Sequence, residues 1–186
     1  MVFRRNVFVF MKYTREEAIS RLLESYRAYY NVIMPDESES PLIAICEFYE
    51  HSEKYVLSRQ ANLWITNCEE FIYIFSVGHL TVEQFEKCRD AAWTDGMKRA
   101  HIGPGHMYTY VTSVFLCDTC DKEAGKALRK CRIYKSFRFS LHGWMDFHTA
   151  VLEVSNNNTI TTNGSGKCVG KVLKNVLFPK KRRKIL

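Results

Sequence analysis

A chain of 186 residues with 46% hydrophobic and 25% charged residues has ordinary globular make-up and is long enough to bury a core without a disulfide or metal staple. That excludes a disordered chain, and no apolar run approaches the roughly 18–20 residues of a membrane-crossing helix. The net charge of +7 is concentrated in one place. Without the cations Lys180, Lys181, Arg182, Arg183 and Lys184 only about +2 would remain, which argues against a body dedicated to nucleic acid.

At the N-terminus, Arg4, Arg5 and the short apolar stretch 7–10 lack the length and the small-residue cleavage site of an export signal. Met11 stands directly before a capped helix and is an alternative start. The reading is therefore a dispensable leader over 1–10, one domain over 11–178 and a basic tail over 179–186. The alternative for the leader is an edge strand.

Thr14-x-x-Glu17 is a capping box. It opens a helix expected over 15–32, with Ile19, Leu22, Leu23, Tyr26, Tyr29 and Tyr30 at helical spacing. An acidic Pro-bounded loop follows at 35–41. Strands are expected over 42–50, 54–64 and 71–77, with polar turns at 51–53 and 66–69, an arrangement that favours an antiparallel meander. Thr81-x-x-Gln84 caps a second helix to about residue 98. A strongly apolar strand is expected over 107–117, a short helix over 121–130, and strands over 133–141, 144–154 and 159–162. After Asn163-Gly164-Ser165-Gly166 a last helix runs over 167–178, with Ser165 expected to help cap it. The order is α+β: about four helices and a mainly antiparallel sheet of about five to six strands.

Four features could carry chemistry. His142, Trp144, Asp146 and His148 alternate, so on a strand they share one face. Two histidines and a carboxylate suit a divalent metal, with His106 a possible neighbour, although His142-Gly143 also reads as a turn that would split the set. Cys117, Cys120 and Cys131 offer an incomplete zinc pattern, with no second close-spaced pair. The C-x-x-C alone is not thioredoxin-like, since Pro179 is the only later proline. The five-cation tail suits weak, salt-sensitive phosphate contact without sequence preference. Asn163-Gly164-Ser165-Gly166-Lys167 resembles half a phosphate loop, but Thr161 stands where a glycine is needed. Seven scattered cysteines, an odd number, suggest a reducing compartment and no structural disulfide.

Two resemblances complete the reading. The order helix, three strands, helix, strand over 14–117 is similar to the core of the PD-(D/E)XK nucleases. The resemblance would place metal-binding acids near Glu53 and Glu70, but Phe71 and Ile72 follow Glu70, so the Glu-x-Lys lysine is missing. Through Ser52-Glu53-Lys54-Tyr55-Val56-Leu57, His106-Met107-Tyr108 and the stretch from Lys135-Ser136-Phe137 to His142-Gly143-Trp144, the chain resembles an uncharacterised family of small Firmicutes proteins. That resemblance implies a bacterial cytoplasmic setting and no activity. The leading expectation is a non-enzymatic binding or accessory domain for a small ligand or protein partner, away from membranes and without a cofactor. The alternatives are a metal-dependent hydrolase on the His142, Asp146, His148 face and a nucleic-acid-associated protein using its tail.

Overall fold

A computed structural model describes residues 13–36, 40–55 and 62–179. The leader, the Met11 start and the five tail cations lie outside these residues, as does the Glu53 side chain.

The chain runs α1 (Arg15–Arg27), β1 (Asn31–Ile33), β2 (Leu42–Tyr55), β3 (Asn62–Leu80), α2 (Val82–Arg99), β4 (His106–Cys120), α3 (Lys122–Lys130), β5 (Tyr134–Ser136), β6 (Trp144–Glu153), β7 (Thr159–Thr162) and α4 (Lys167–Leu177). Both capping boxes form: Thr14 accepts from the Glu17 amide and Thr81 from the Gln84 amide, each with the reciprocal bond.

The sheet corrects the sequence reading. It has seven strands in the order β1-β2-β3-β4-β6-β5, with β7 also on β6, and it is mixed. β3 pairs with β4, and β4 with β6, in parallel. The signal lay in residues 107–117, whose near-continuous apolar run suits a central strand buried on both faces, the habit of parallel sheets. Parallel neighbours need a crossover, and α2 and α3 supply it. The expected three-strand meander is instead two long strands. The presumed turns at 51–53 and 66–69 lie inside them, where His51 pairs with Asn67 and Ser52 with Thr66. Polar residues at those positions sit on a partly exposed ladder rather than at a bend. α1 stops at Arg27 rather than at residue 32, and Val32 instead pairs with Cys46.

Side chains alternate across the sheet and fill two cores. On one face Phe71, Tyr73, Phe75, Val111, Phe115, Met145 and Phe147 pack beneath Phe85, Cys88 and Ala92 of α2 and Ala124 and Leu128 of α3. On the other, Ala44, Cys46, Ile72, Ile74, Val114, Leu116, Ala150 and Leu152 pack beneath Leu22 and Tyr26 of α1 and Val169, Leu173 and Leu177 of α4. All seven cysteines are free thiols. Among the described residues no helix is long and apolar enough to cross a membrane.

Candidate functional site

Helices α1 and α4 cover only part of their face. Towards the start of β4 and β6 the same face carries Glu70, Tyr108, Tyr110, Trp144 and Asp146, all partly exposed, with Cys68 and His148 buried among the neighbouring positions. The strand register produces this grouping, because Tyr108 pairs with Cys68 and Trp144, Tyr110 with Glu70 and Asp146, and Thr112 with His148.

The rings form a row. Tyr108 and Tyr110, two residues apart and hence on one face, stack at 4.6 Å between centroids and 30° between planes. Tyr108 tilts against Trp144 at 6.0 Å, and Tyr110 lies 4.6 Å from the His148 ring at 32°. Carboxylates flank the row. His148 Nε2 is 3.7 Å from Asp146 Oδ2, and Tyr30 donates its hydroxyl to Glu70 Oε2 at 2.6 Å. A hydrogen bond with Cys68 and then burial hold the Tyr108 phenol above its ordinary range, so it stays neutral. His148 Nδ1 and Thr112 Oγ1 are buried without a hydrogen-bond partner, so this part of the sheet keeps unused polar capacity.

Three of the sequence candidates fare differently. Asp146 and His148 alternate on β6 and so share a face. His142 does not join them: it sits in the turn before β6, and its carbonyl accepts from His106 Nδ1 at 2.7 Å. The turn reading of His142-Gly143 explains the split. Residues 137–141, expected to extend a strand, form a turn in which Arg138, Phe139 and Ser140 all have positive φ. The tail candidates Lys180 to Lys184 lie outside the described residues. Cys117 and Cys120 end β4, and Cys131 caps α3. Burial pushes the Cys117 thiol up to about 12 and raises those of Cys120 and Cys131, which favours the protonated thiol over the thiolate that metal or redox chemistry uses. Among the described residues no three His, Cys, Asp or Glu side chains are placed to hold a metal ion. The ring row was missed because Tyr108 and Tyr110 read as two aromatics of a core strand; period-two spacing beside Trp144 was the available signal.

Burial and charge set opposite pH responses here. Desolvation holds the His148 imidazole below its usual 6.5, against the pull of Asp146. The unfolded chain therefore takes up a proton that the folded chain refuses, and stability falls as pH drops below 6.5. Burial raises the Glu70 carboxyl above its usual 4.5, with the Tyr30 bond opposing. The folded chain keeps that proton longer, so stability falls as pH rises past 4.5. Urea midpoints between about pH 4 and about pH 7.5 should show His148→Gln removing the acid-side loss and Glu70→Gln removing the opposing one.

The family model described as "Domain of unknown function (DUF8052)" matches residues 14–175, and the chain belongs to that family. No curated protein and no solved structure matches it. Its function is not established.

Proposed function

We propose that this chain is a binding domain for a planar nitrogen heterocycle of nucleobase size, held on the Trp144, Tyr108, Tyr110, His148 row. The observation that carries this reading is the row itself, a run of tilted and stacked rings in which Trp144, Tyr108 and Tyr110 are partly exposed and His148 is buried at the inner end. Base–aromatic stacking is worth about 1–3 kcal/mol per base. Asp146 can accept from ring or amino N–H groups, and Glu70 keeps acceptor positions beyond its bond from Tyr30. The two carboxylates disfavour a phosphate, which selects the free base or nucleoside over a nucleotide chain.

A metal-dependent hydrolase on His142, Asp146 and His148 finds less support, because His142 stands in a different element from the other two. The nuclease reading is weakened by Ile72, which occupies the lysine position, and by Glu70, whose carboxylate is engaged by Tyr30.

Titration with adenosine, followed by tryptophan fluorescence, tests the proposal. Quenching is expected in the full chain and should vanish in Trp144→Phe. Tyr108→Ala or Tyr110→Ala should weaken binding by about tenfold or more, as the loss of one stacking partner requires. Binding unchanged in both tyrosine variants would overturn the reading. A single-stranded oligonucleotide that bound far more tightly than adenosine, with a steep salt dependence lost on deleting 179–186, would favour the nucleic-acid alternative instead.

A further inference from the structure

The opposite face carries a buried polar chain that the proposed base site does not use. Glu69 on β3 and His106 and Thr109 on β4 are each at most 4% exposed. Thr109 Oγ1 lies 3.0 Å from Glu69 Oε2 and 2.8 Å from His106 Nε2. His106 Nδ1 lies 2.7 Å from the His142 carbonyl. At the outer end, Glu69 Oε1 is 2.7 Å from His101 Nδ1, and the His101 amide donates to the same carboxylate.

Counting donors narrows the proton arrangements that satisfy all these contacts. A carbonyl only accepts, so His106 Nδ1 carries hydrogen. The single Thr109 hydroxyl hydrogen can serve one of its two bonds, and the partner must supply the other. If Thr109 donates to Glu69, then His106 Nε2 also carries hydrogen, giving imidazolium and carboxylate. If Thr109 donates to His106, then Glu69 is protonated and both ends are neutral. Either way the pair shares one proton. The two states interconvert when the His106 Nε2–H bond breaks and a Thr109 O–H bond forms, while the former Thr109 proton moves to Glu69 Oε2. No proton is exchanged with solvent.

Glu69 is also part of the wall of an open pocket of about 270 Å³, lined besides by Tyr49, Glu50, His51, Asn67, Cys68 and His101. Tyr49 is 49% exposed and meets His101 edge to face. Glu69 supplies negative charge, and the Tyr49 ring, paired across the strands with Glu69, can face a cation. His101 follows Ala100, the C-cap of α2, near a helix end where the dipole also favours positive charge. Among the described residues the lining has no lysine or arginine.

We propose that this pocket binds a small organic ammonium ion, and that binding draws the shared proton through Thr109 onto His106, leaving Glu69 as the carboxylate that pairs with the ligand. The side chains that this proposal uses, Glu69, Tyr49, His101, Thr109 and His106, lie away from the ring row of the proposed base site, and the proposal does not depend on that reading.

The test uses the full chain with ¹⁵N-labelled histidine, benzylammonium chloride as probe and benzyl alcohol as its neutral counterpart. The amine should move the His106 ring nitrogens towards the doubly protonated pattern, and the alcohol should not. Thr109→Ser, which keeps the hydroxyl, should respond like the unaltered chain. Thr109→Val should still bind the amine without the His106 response. Glu69→Gln should weaken amine binding by about tenfold or more, the scale of one hydrogen bond to a charged group. Asp146→Asn should change none of this. Equal effects of amine and alcohol, no response of His106 to the amine, or an unaltered response in Thr109→Val would each overturn the proposal. Since Thr109→Ser and the unaltered chain give the decisive comparison of amine with alcohol, the result does not depend on Glu69→Gln folding.

Discussion

Replacing Asn163 by Asp, a change of one atom type, is expected to lower stability by about 3–5 kcal/mol, in the range reserved for broken buried networks. Asn163 is 1% exposed, and its amide is fully engaged. Nδ2 donates to the Cys131 carbonyl at 3.1 Å and to the Phe147 carbonyl at 2.9 Å. Oδ1 accepts from the Thr149 amide at 3.1 Å and the Gly166 amide at 2.8 Å. One side chain therefore joins the end of α3, two positions on β6 and the start of α4. A carboxylate keeps the two acceptor bonds but turns both donor bonds into contacts between oxygens, and it brings a charge into the interior. For a chain of this size the melting temperature should fall by about 10 °C or more. Lowering the pH should recover part of the loss, because the protonated carboxyl regains one donor. Asn163→Leu should be as damaging at every pH, since it removes all four bonds and nothing titrates. A melting temperature of Asn163→Asp within about 2 °C of the unaltered chain would contradict this account.

The same residue shows where the sequence was legible and where it was not. Helix starts could be read because capping boxes are local: Thr14 with Glu17 and Thr81 with Gln84 lie three residues apart and form as written. The start of α4 could not be read locally. Ser165 was the natural cap by spacing, yet α4 has no side-chain cap on its N-cap residue Gly166, and the Gly166 amide bonds Asn163. The choice rests on the carbonyls of Cys131 and Phe147, 32 and 16 residues away, which no window of sequence contains. Strand direction failed for a similar reason. Alternation gives the faces of a strand but not the hand of its neighbour, so the 107–117 run announced a buried strand without announcing that α2 returns it parallel to β3.

The candidate sites divide along the same line. Asp146 and His148 were placed on one face because they alternate on one strand. Glu69, His106 and Thr109 were not, except that His106 stood out as a neighbour, because β3 and β4 are joined only after an eighteen-residue helix. Glu69 even lay in a segment that reads as a turn, Thr66-Asn67-Cys68-Glu69, since acids and amides mark bends more often than buried strand positions. Its burial becomes affordable only once Thr109 and the His101 amide arrive from elsewhere in the chain.

Gly143→Ala should be the most damaging single-methyl change in the chain's turns, costing about 3–5 kcal/mol. Gly143 has φ +68° and packs on the start of β4: an added Cβ would lie 2.3 Å from the Met107 carbonyl oxygen, 2.6 Å from that of His106 and 2.7 Å from His106 Nδ1. Two of these neighbours are backbone in the central strand and cannot swing aside, so the turn itself must move. That turn already contains three successive left-handed residues, Arg138, Phe139 and Ser140, at a cost of about 1–2 kcal/mol each. It is closed by the Phe137 amide donating to the Gly143 carbonyl at 3.0 Å and the Gly143 amide to Ser140 at 3.1 Å, which leaves it little freedom to yield. The damage should also be chemical. The His142 carbonyl that holds His106 Nδ1 belongs to the residue before the glycine, so displacing the turn removes the acceptor that fixes which His106 nitrogen must carry hydrogen. Denaturant midpoints should therefore fall for Gly143→Ala and Asn163→Asp alike. The His106 ring nitrogens should change their protonation pattern in Gly143→Ala alone, because Asn163 touches neither His106 nor Thr109. If both variants altered that pattern equally, the effect on His106 would be a general consequence of lost stability. If Gly143→Ala left pattern and midpoint untouched, the close packing of this turn against β4 would be refuted.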